Sequence, residues 1–331
     1  MKFRKGAGIF FRVMLVKFFK KKYPLVLNLR VTNRCNRQCI YCAVPQRSKE
    51  QLTKEEIFSI IDEVEDDCVF INLYGGEPLV REDVGEIIDY IKARDGIFLS
   101  LSSNGTLVPS RIAEVKKLDL ILLSLDGPRS IHDRQKGTGS FAEVMEAVKI
   151  ARENNVPVIA MTAISKFNID HFDYILEKAH ELDFNVVFQP VISGAKDNSS
   201  VYPDEREFRN FVSRLIKRDD KHLATMSKNT LKYYLHWPQG NKKRINCLVE
   251  RISCFIDADG SLFPCTTLCD INYGEAKYRE PYNSIRKGGV KKAFNNLLES
   301  HCEDCWAVDS VELNWNPFFF TAVKRLLLGK I

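Results

Sequence analysis

The chain has 331 residues, 45% of them apolar and 28% charged, with a net charge of +6. That length and composition suit one large globular domain or two ordinary ones, and exclude a disordered or fibrous chain. The charge is uneven: residues 1–34 carry ten Lys or Arg and no acid, while the remainder holds 39 basic and 43 acidic residues. A basic leader on a mildly acidic body is not the profile of a nucleic-acid-binding domain, and no nucleic-acid partner is expected. Ten cysteines, at 35, 39, 42, 68, 247, 254, 265, 269, 302 and 305, come without a secretory signal. They point to thiols kept reduced in the cytoplasm for metal, not to a disulfide framework.

Residues Ile9 to Phe19 are strongly apolar but interrupted by Arg12 and Lys17, a run too short to span a bilayer and too charged for a signal-peptide core. At ~100° per residue, Arg12, Lys17 and Lys20 fall within a sector of about 140°, leaving Phe11, Leu15, Phe18 and Phe19 on the rest of a helix. Residues 1–23 are expected as a basic apolar helix with two open readings. It lies peripherally in the interface of the inner face of the membrane, or it packs on the protein with its lysines reaching water.

From Leu25 to Val31 an apolar run reads as the first strand, and Cys35-Asn36-Arg37-Gln38-Cys39-Ile40-Tyr41-Cys42 follows it. Thr53-Lys54-Glu55-Glu56 caps a helix through Glu65. Val69 to Tyr74 is a strand ending in Gly75-Gly76-Glu77-Pro78, a helix spans 81–94, and Phe98 to Ser103 is a strand ending in Asn104-Gly105-Thr106. After a short helix, Leu120 to Leu125 is a fourth strand followed by Asp126-Gly127-Pro128; then come helix 141–154, strand 156–164, helix 170–182 and strand 185–191. Six alternations of strand and helix imply parallel βαβ units and an α/β fold, without separating an open sheet from a barrel. Each unusual motif sits at the carboxyl end of a strand, where such folds bind ligands, so one site is assembled from successive strands.

Three thiols spaced Cys-x3-Cys-x2-Cys can converge on one soft metal centre, and a set of three leaves a coordination position open for chemistry. A zinc knuckle is the alternative. Gly75-Gly76 allows close backbone approach to a ligand, and Glu77 can accept from an ammonium group. Ser103 and Asn104 can hydrogen-bond ribose hydroxyls, although Asn104-Gly105 also reads as a turn. Ser124 and Asp126 admit the same binding role, with helix capping as the alternative for Asp126.

Taken together, Cys35/Cys39/Cys42, Gly75-Gly76-Glu77-Pro78, Ser103-Asn104-Gly105 and Ser124-Leu125-Asp126-Gly127 resemble the motifs of the radical S-adenosylmethionine (SAM) superfamily. The resemblance covers about residues 24–192. It implies a partial six-stranded (β/α) barrel, similar to part of a TIM barrel, and a [4Fe–4S] cluster on Cys35, Cys39 and Cys42 whose free iron chelates SAM. It further implies cleavage of SAM to a 5′-deoxyadenosyl radical, with electrons from a donor such as flavodoxin or ferredoxin. His132-Asp133-Arg134-Gln135-Lys136-Gly137 resembles a segment of members with a carboxy-terminal cluster domain, and Arg134 joins the expected cofactor-binding set. An Arg often stands where this chain has Lys136.

Residues 193–246 read as a helical connection. Beyond them, Asp259-Gly260 between short apolar runs signals a hairpin that returns Cys265 towards Cys254 or Cys247. With Cys302-Glu-Asp-Cys305, the region 247–331 supplies a four-thiolate site, suited to zinc or an iron–sulfur cluster on chemistry alone. It resembles the twitch domain, a shortened SPASM domain, which implies a second, auxiliary [4Fe–4S] cluster. The expected ligands are Cys247, Cys265, Cys302 and Cys305, with Cys254 as the alternative to Cys247 and Cys269 spare; Cys68 reads as a core residue. The apolar basic ends of the chain point to a lipid-like or membrane-associated substrate. A ribosomally made peptide is the alternative, and a zinc-binding interaction module the non-enzymatic one.

Overall fold

In a computed structural model, residues 2–46, 51–191, 199–218, 220–223, 226–236, 248–265, 279 and 281–297 of the chain are described. Cys247, Cys269, Cys302, Cys305 and the tail from 298 onward lie outside them. A leader helix, α1 (Lys2–Phe19), precedes the strand β1 (Val26–Thr32). Then α2 (Lys54–Val64), β2 (Phe70–Gly75), α3 (Val84–Lys92), β3 (Phe98–Ser103), α4 (Ile112–Val115) and β4 (Leu120–Ser124) follow. The chain continues through α5 (Arg129–Lys136), α6 (Ser140–Glu153), β5 (Val158–Ile164), α7 (Phe172–Leu182) and β6 (Asn185–Pro190). All six strands run parallel in sequential order. The alternation read from the sequence is this succession.

Local chemistry fixes the elements. Thr53 closes a capping box on α2: its hydroxyl accepts from the Glu56 amide, and the Glu56 carboxylate accepts from the Thr53 amide. Ile57, Ile60, Ile61 and Val64 then line one face of α2, as Val84, Ile87, Ile88 and Ile91 do on α3. Leu27, Leu29, Ile71, Leu73, Leu99, Leu101, Ile121 and Leu123, alternate residues of β1 to β4, are all 0% exposed under this helix layer. The other face of the sheet is different in kind. It carries Asn28, Arg30, Asn72, Tyr74, Ser100, Ser102 and Ser124 together with Phe70, Phe98, Leu122 and Met161, so the inner wall is mixed polar and apolar.

The helix α5 has no apolar period, and the sequence reading passed over it; it buries His132, Gln135 and Lys136. A second difference concerns the carboxy-terminal region. After α8 (Glu205–Arg218), α9 (Lys228–Tyr234) and α10 (Val249–Ile252), the strand β7 (Ser253–Ile256) pairs parallel with β1, and β8 (Leu262–Phe263) returns antiparallel to it. The hairpin expected around Asp259-Gly260 is therefore present, but it extends the core sheet, whose order is β6-β5-β4-β3-β2-β1-β7-β8. Because β8 runs back, Cys265 heads for the amino-terminal edge of the sheet, the end opposite the Cys35–Cys42 loop. Two further helices, α11 (Tyr282–Gly288) and α12 (Val290–Asn296), complete the described residues.

The join between β1 and β7 is chemical as well as topological. Arg30, 1% exposed, lies between the rings of Tyr74 and Phe255, at 5.4 and 5.1 Å, and its Nη1 stands 3.0 Å from Asp257 Oδ1. Asn28 Nδ2 donates to Ser253 Oγ at 3.2 Å.

Candidate active site

The loop carrying Cys35, Cys39 and Cys42 leaves the carboxyl end of β1, and each thiol is half-buried. Backbone contacts hold it from several sides. Gly76 N donates to Thr32 O and Glu77 N to Arg34 O, each at 2.9 Å, while Ile40 N donates to Gln135 O at 2.9 Å. Side chains complete the tether: Arg37 donates to Thr106 Oγ1 at 3.3 Å and pairs with Glu143, and Tyr41 donates to Asp126 Oδ2 at 2.6 Å.

This geometry gives Gly75-Gly76 a reason other than the one read from the sequence. A Cβ on Gly75 would overlap the Thr32 carbonyl oxygen, and one on Gly76 would overlap the carbonyls of Asn33 and Arg34. The close approach is to the backbone that launches the cysteine loop. Glu77 is likewise turned inward and 0% exposed. Its Oε2 accepts from Asn104 N at 2.7 Å, its Oε1 from Leu79 N at 3.1 Å, and Ser103 Oγ lies 2.9 and 3.1 Å from the two oxygens. In this arrangement the carboxylate is a post joining the ends of β2 and β3, rather than an acceptor standing open for an ammonium. Burial pushes its pKa up to about 7 against the pull of those donors.

Asn104 bridges to the cysteine loop through Asn36 Oδ1 at 2.7 Å, with Cys35 Sγ 3.9 Å away. Asp126, 0% exposed, receives Tyr41 OH on Oδ2 and Ala163 N on Oδ1, and Lys136 Nζ lies 3.4 Å from Oδ2. Lys136 is 7% exposed and sits over the Tyr41 ring. Burial works against its charge, yet Asp126, Tyr41 and Cys39 together hold the ammonium well above its ordinary range. Arg134 is not brought to this group: it is exposed and stacks on Phe167, 4.0 Å from the ring centroid. Along the segment from His132 to Gly137 it is Lys136, not Arg134, that reaches the site, because the helical turn of α5 points the two residues to different sides. Ser124 stands half-buried on the inner wall at the end of β4. Arg37 and His132 are not among the site residues expected from the sequence; the place of His132 at the head of the segment 132–137 is the signal that could have found it.

The chemistry of the three thiols suits a cluster. Burial raises the Cys35 thiol to about 11, with Glu77 and the neighbouring thiols adding to it while the Arg37 amide, 3.4 Å from Sγ, opposes. Burial also raises Cys39, against the pull of Lys136. Such thiols keep their protons until a metal's charge displaces them. Among the described residues, no three thiol, imidazole or carboxylate groups are close enough to grip a single metal ion. Three half-buried thiols on one loop, spaced Cys-x3-Cys-x2-Cys, fit an iron–sulfur cluster.

Residues 29–179 match the family described as the Radical SAM superfamily. Residues 29–179 are thus a Radical SAM domain, and that family works with a [4Fe–4S] cluster and SAM. The chain is 25% identical over 332 residues to a cysteine-type anaerobic sulfatase-maturating enzyme of Clostridium novyi, across 89% of this chain and 86% of that one. It is 26% identical to the mycofactocin maturase MftC of Mycolicibacterium smegmatis, across 73% of this chain and 64% of that one. Among solved structures, Streptococcus suis SuiB bound to S-adenosylmethionine superposes with a TM-score of 0.68 at 13% identity, covering 86% of this chain and 69% of that one. The enzyme anSMEcpe with AdoMet and the Kp18Cys peptide superposes with a TM-score of 0.65 at 19% identity, covering 93% and 99%. The fold is thus that of these radical SAM proteins, and the partial barrel expected from the sequence is the one observed.

Two buried groups in this radical SAM site give opposite pH dependences. His132, 0% exposed, accepts the Asp126 amide on Nδ1 at 3.0 Å, and burial holds its pKa down at about 4. Between about pH 6.5 and 4 the unfolded chain therefore binds the extra proton, and stability is lost as pH falls through that window. Glu77, raised to about 7, acts the other way: the folded state takes its proton first, so stability is gained as pH falls from about 7 towards 4.5. The two offset each other in the wild type. His132→Gln keeps an acceptor for the Asp126 amide and removes the imidazole. Relative to wild type it is expected to gain on the order of 3 kcal/mol between pH 7 and 4. Urea unfolding across that range checks this; parallel pH profiles would refute it.

Proposed function

We propose that this radical SAM enzyme modifies a polypeptide substrate, as a maturase. The likeness to the sulfatase-maturating enzyme carries the reading, since it runs through nearly the full length of both chains and beyond the SAM domain. MftC is named as a maturase too, and SuiB has been crystallised with a precursor peptide, SuiA. The inner wall carries polar and apolar groups side by side, half-buried Asn72, Ser102 and Ser124 with Leu122 and Met161, so the reading in place of the lipid-like substrate expected from the sequence rests on the relatives.

In this proposal Cys35, Cys39 and Cys42 would hold the SAM-cleaving cluster, and Gly76, Asn104 and Ser124, at the ends of β2 to β4, would hold SAM. When bound, cluster and SAM supply one-electron cleavage to a radical that takes hydrogen from an unactivated carbon, with the electron coming from a flavodoxin or ferredoxin. Tyr41, Asp126 and Lys136 fix the loop between its second and third thiols, and Glu77 fixes the ends of β2 and β3 beneath it. Cys265, with Cys247, Cys302 and Cys305, holds an auxiliary [4Fe–4S] cluster. Cys254 is the weaker candidate: it is 0% exposed, on the helix side of β7, and both burial and nearby Cys68 push its thiol far up. From the register, Cys265 lies roughly 20 Å along the strands from the Cys35–Cys42 loop, which favours two distinct clusters.

A second reading deserves an arm of the test, because an AdoMet-dependent heme synthase of Methanosarcina barkeri is 27% identical across 78% of this chain and 81% of that one. Anaerobic full-length protein, given SAM and a reductant, is offered peptide, lipid and tetrapyrrole fractions. Release of 5′-deoxyadenosine is expected to rise with the peptide fraction. A rise confined to the tetrapyrrole or lipid fraction would overturn the maturase reading.

A further inference from the structure

The leader helix α1 has one face committed to the protein and another left bare. Val13 and Val16, 3% and 1% exposed, enter the main core, and Arg12 Nη2 is anchored 2.7 Å from Asp67 Oδ1. The helix is therefore held in a fixed orientation. Its outer side presents Phe11, Phe18 and Phe19 at 63%, 63% and 69% exposure, the exposed large hydrophobic residues among those described. Phe11 and Phe18 are seven residues apart, two turns, so they share a face. Lys17, Lys20 and Lys21 are exposed beside them. Residues 1–22 carry eight Lys or Arg and no acid.

We infer that this face of α1 docks on the surface of an anionic lipid bilayer. Aromatic rings flanked by lysines suit the boundary between headgroups and acyl chains, and an anionic surface complements a segment with no acid. The other occupants fit the charge poorly. A second copy of the chain would set one cationic leader against another. The chain's own tail after Glu312 is basic as well, with Lys324, Arg325 and Lys330 and no acid. No described helix is long and apolar enough to cross a membrane, so the contact is interfacial. It concerns where the enzyme sits, and holds whichever substrate the site takes.

Anaerobically purified full-length protein, sedimented with phosphatidylcholine vesicles and with phosphatidylcholine–phosphatidylglycerol vesicles, tests the inference. Binding is expected to the anionic vesicles alone and to weaken as salt is raised. A variant carrying Phe11→Ser, Phe18→Ser and Phe19→Ser is expected to bind roughly tenfold more weakly or worse, with unchanged thermal unfolding, since it loses only apolar insertion. Three results would each overturn the inference. Full-length protein stays in the supernatant at low salt. The triple variant binds like wild type. Or the variant unfolds at a lower temperature or dissociates a dimer, which would show that protein already covers the face.

Discussion

Alanine in place of Cys35, Cys39 or Cys42 is expected to abolish 5′-deoxyadenosine formation in reconstituted protein and to remove one cluster's worth of iron and sulfide. With two thiols the loop cannot hold a four-iron cluster in the geometry that leaves one iron open. The fold is expected to stand, because the tethers of the loop do not use the thiols. Ile40 N to Gln135 O, Tyr41 OH to Asp126 and Glu77 N to Arg34 O all survive the change. Among the described hydrogen bonds, Cys35→Ala loses the long contacts of its Sγ with the Arg37 amide, Asn104 Nδ2 and Asn36 Oδ1. Apo variants should therefore unfold within about 1 kcal/mol of the apo wild type. Iron, sulfide and deoxyadenosine measured on the same preparations decide it. SAM cleavage at the wild-type rate in any one variant sinks the assignment of that thiol.

The strands β1 to β6 were legible because each is a short apolar run closed by turn chemistry, and the capping box at Thr53 and Glu56 forms as its spacing implies. What escaped was governed by contacts distant in sequence. Nothing near Arg30 announces that a strand more than 200 residues later will pair with β1 and bring Asp257 to its guanidinium. The helix α5 escaped for a related reason: its buried residues His132, Gln135 and Lys136 are polar and are held by partners distant in sequence or on a neighbouring strand end, the Asp126 amide, Ser165 Oγ and the Asp126 carboxylate. Gly75-Gly76 reads from sequence as an approach to a ligand, whereas the close contact in the structure is with backbone, and a sequence does not name the partner. At α1 the pattern is divided between packed and exposed residues. Val13 and Val16 pack, while Phe11 and Phe18 do not.

Breaking the Arg30–Asp257 pair is expected to cost about 3–5 kcal/mol in either single variant, Arg30→Met or Asp257→Leu, the usual range for leaving one buried charge without its partner. The side chains are 1% and 2% exposed, so water cannot take over the lost contact. Asp257 also organises the hairpin: its Oδ1 accepts from Ala258 N at 2.8 Å, and its amide donates to Ser261 O at 2.8 Å. Asp257→Leu removes the first of these and keeps the second, so it is expected at the upper end of the range. The double variant replaces both charges with apolar groups beside Tyr74 and Phe255, and is expected to cost less than the sum of the singles by at least about 1 kcal/mol. The pair joins β1 to β7, so the loss should appear first in the hairpin. Hydrogen exchange should speed up at Phe255, Ile256 and Leu262 in the single variants before it does at Leu101 or Leu123 in the middle of the sheet. If the hairpin carries Cys265 to an auxiliary cluster, iron should fall while the iron bound at the Cys35–Cys42 loop stays. Single variants within about 1 kcal/mol of wild type, or exchange that rises evenly over the whole sheet, would show that the hairpin is held to the barrel by something other than this pair.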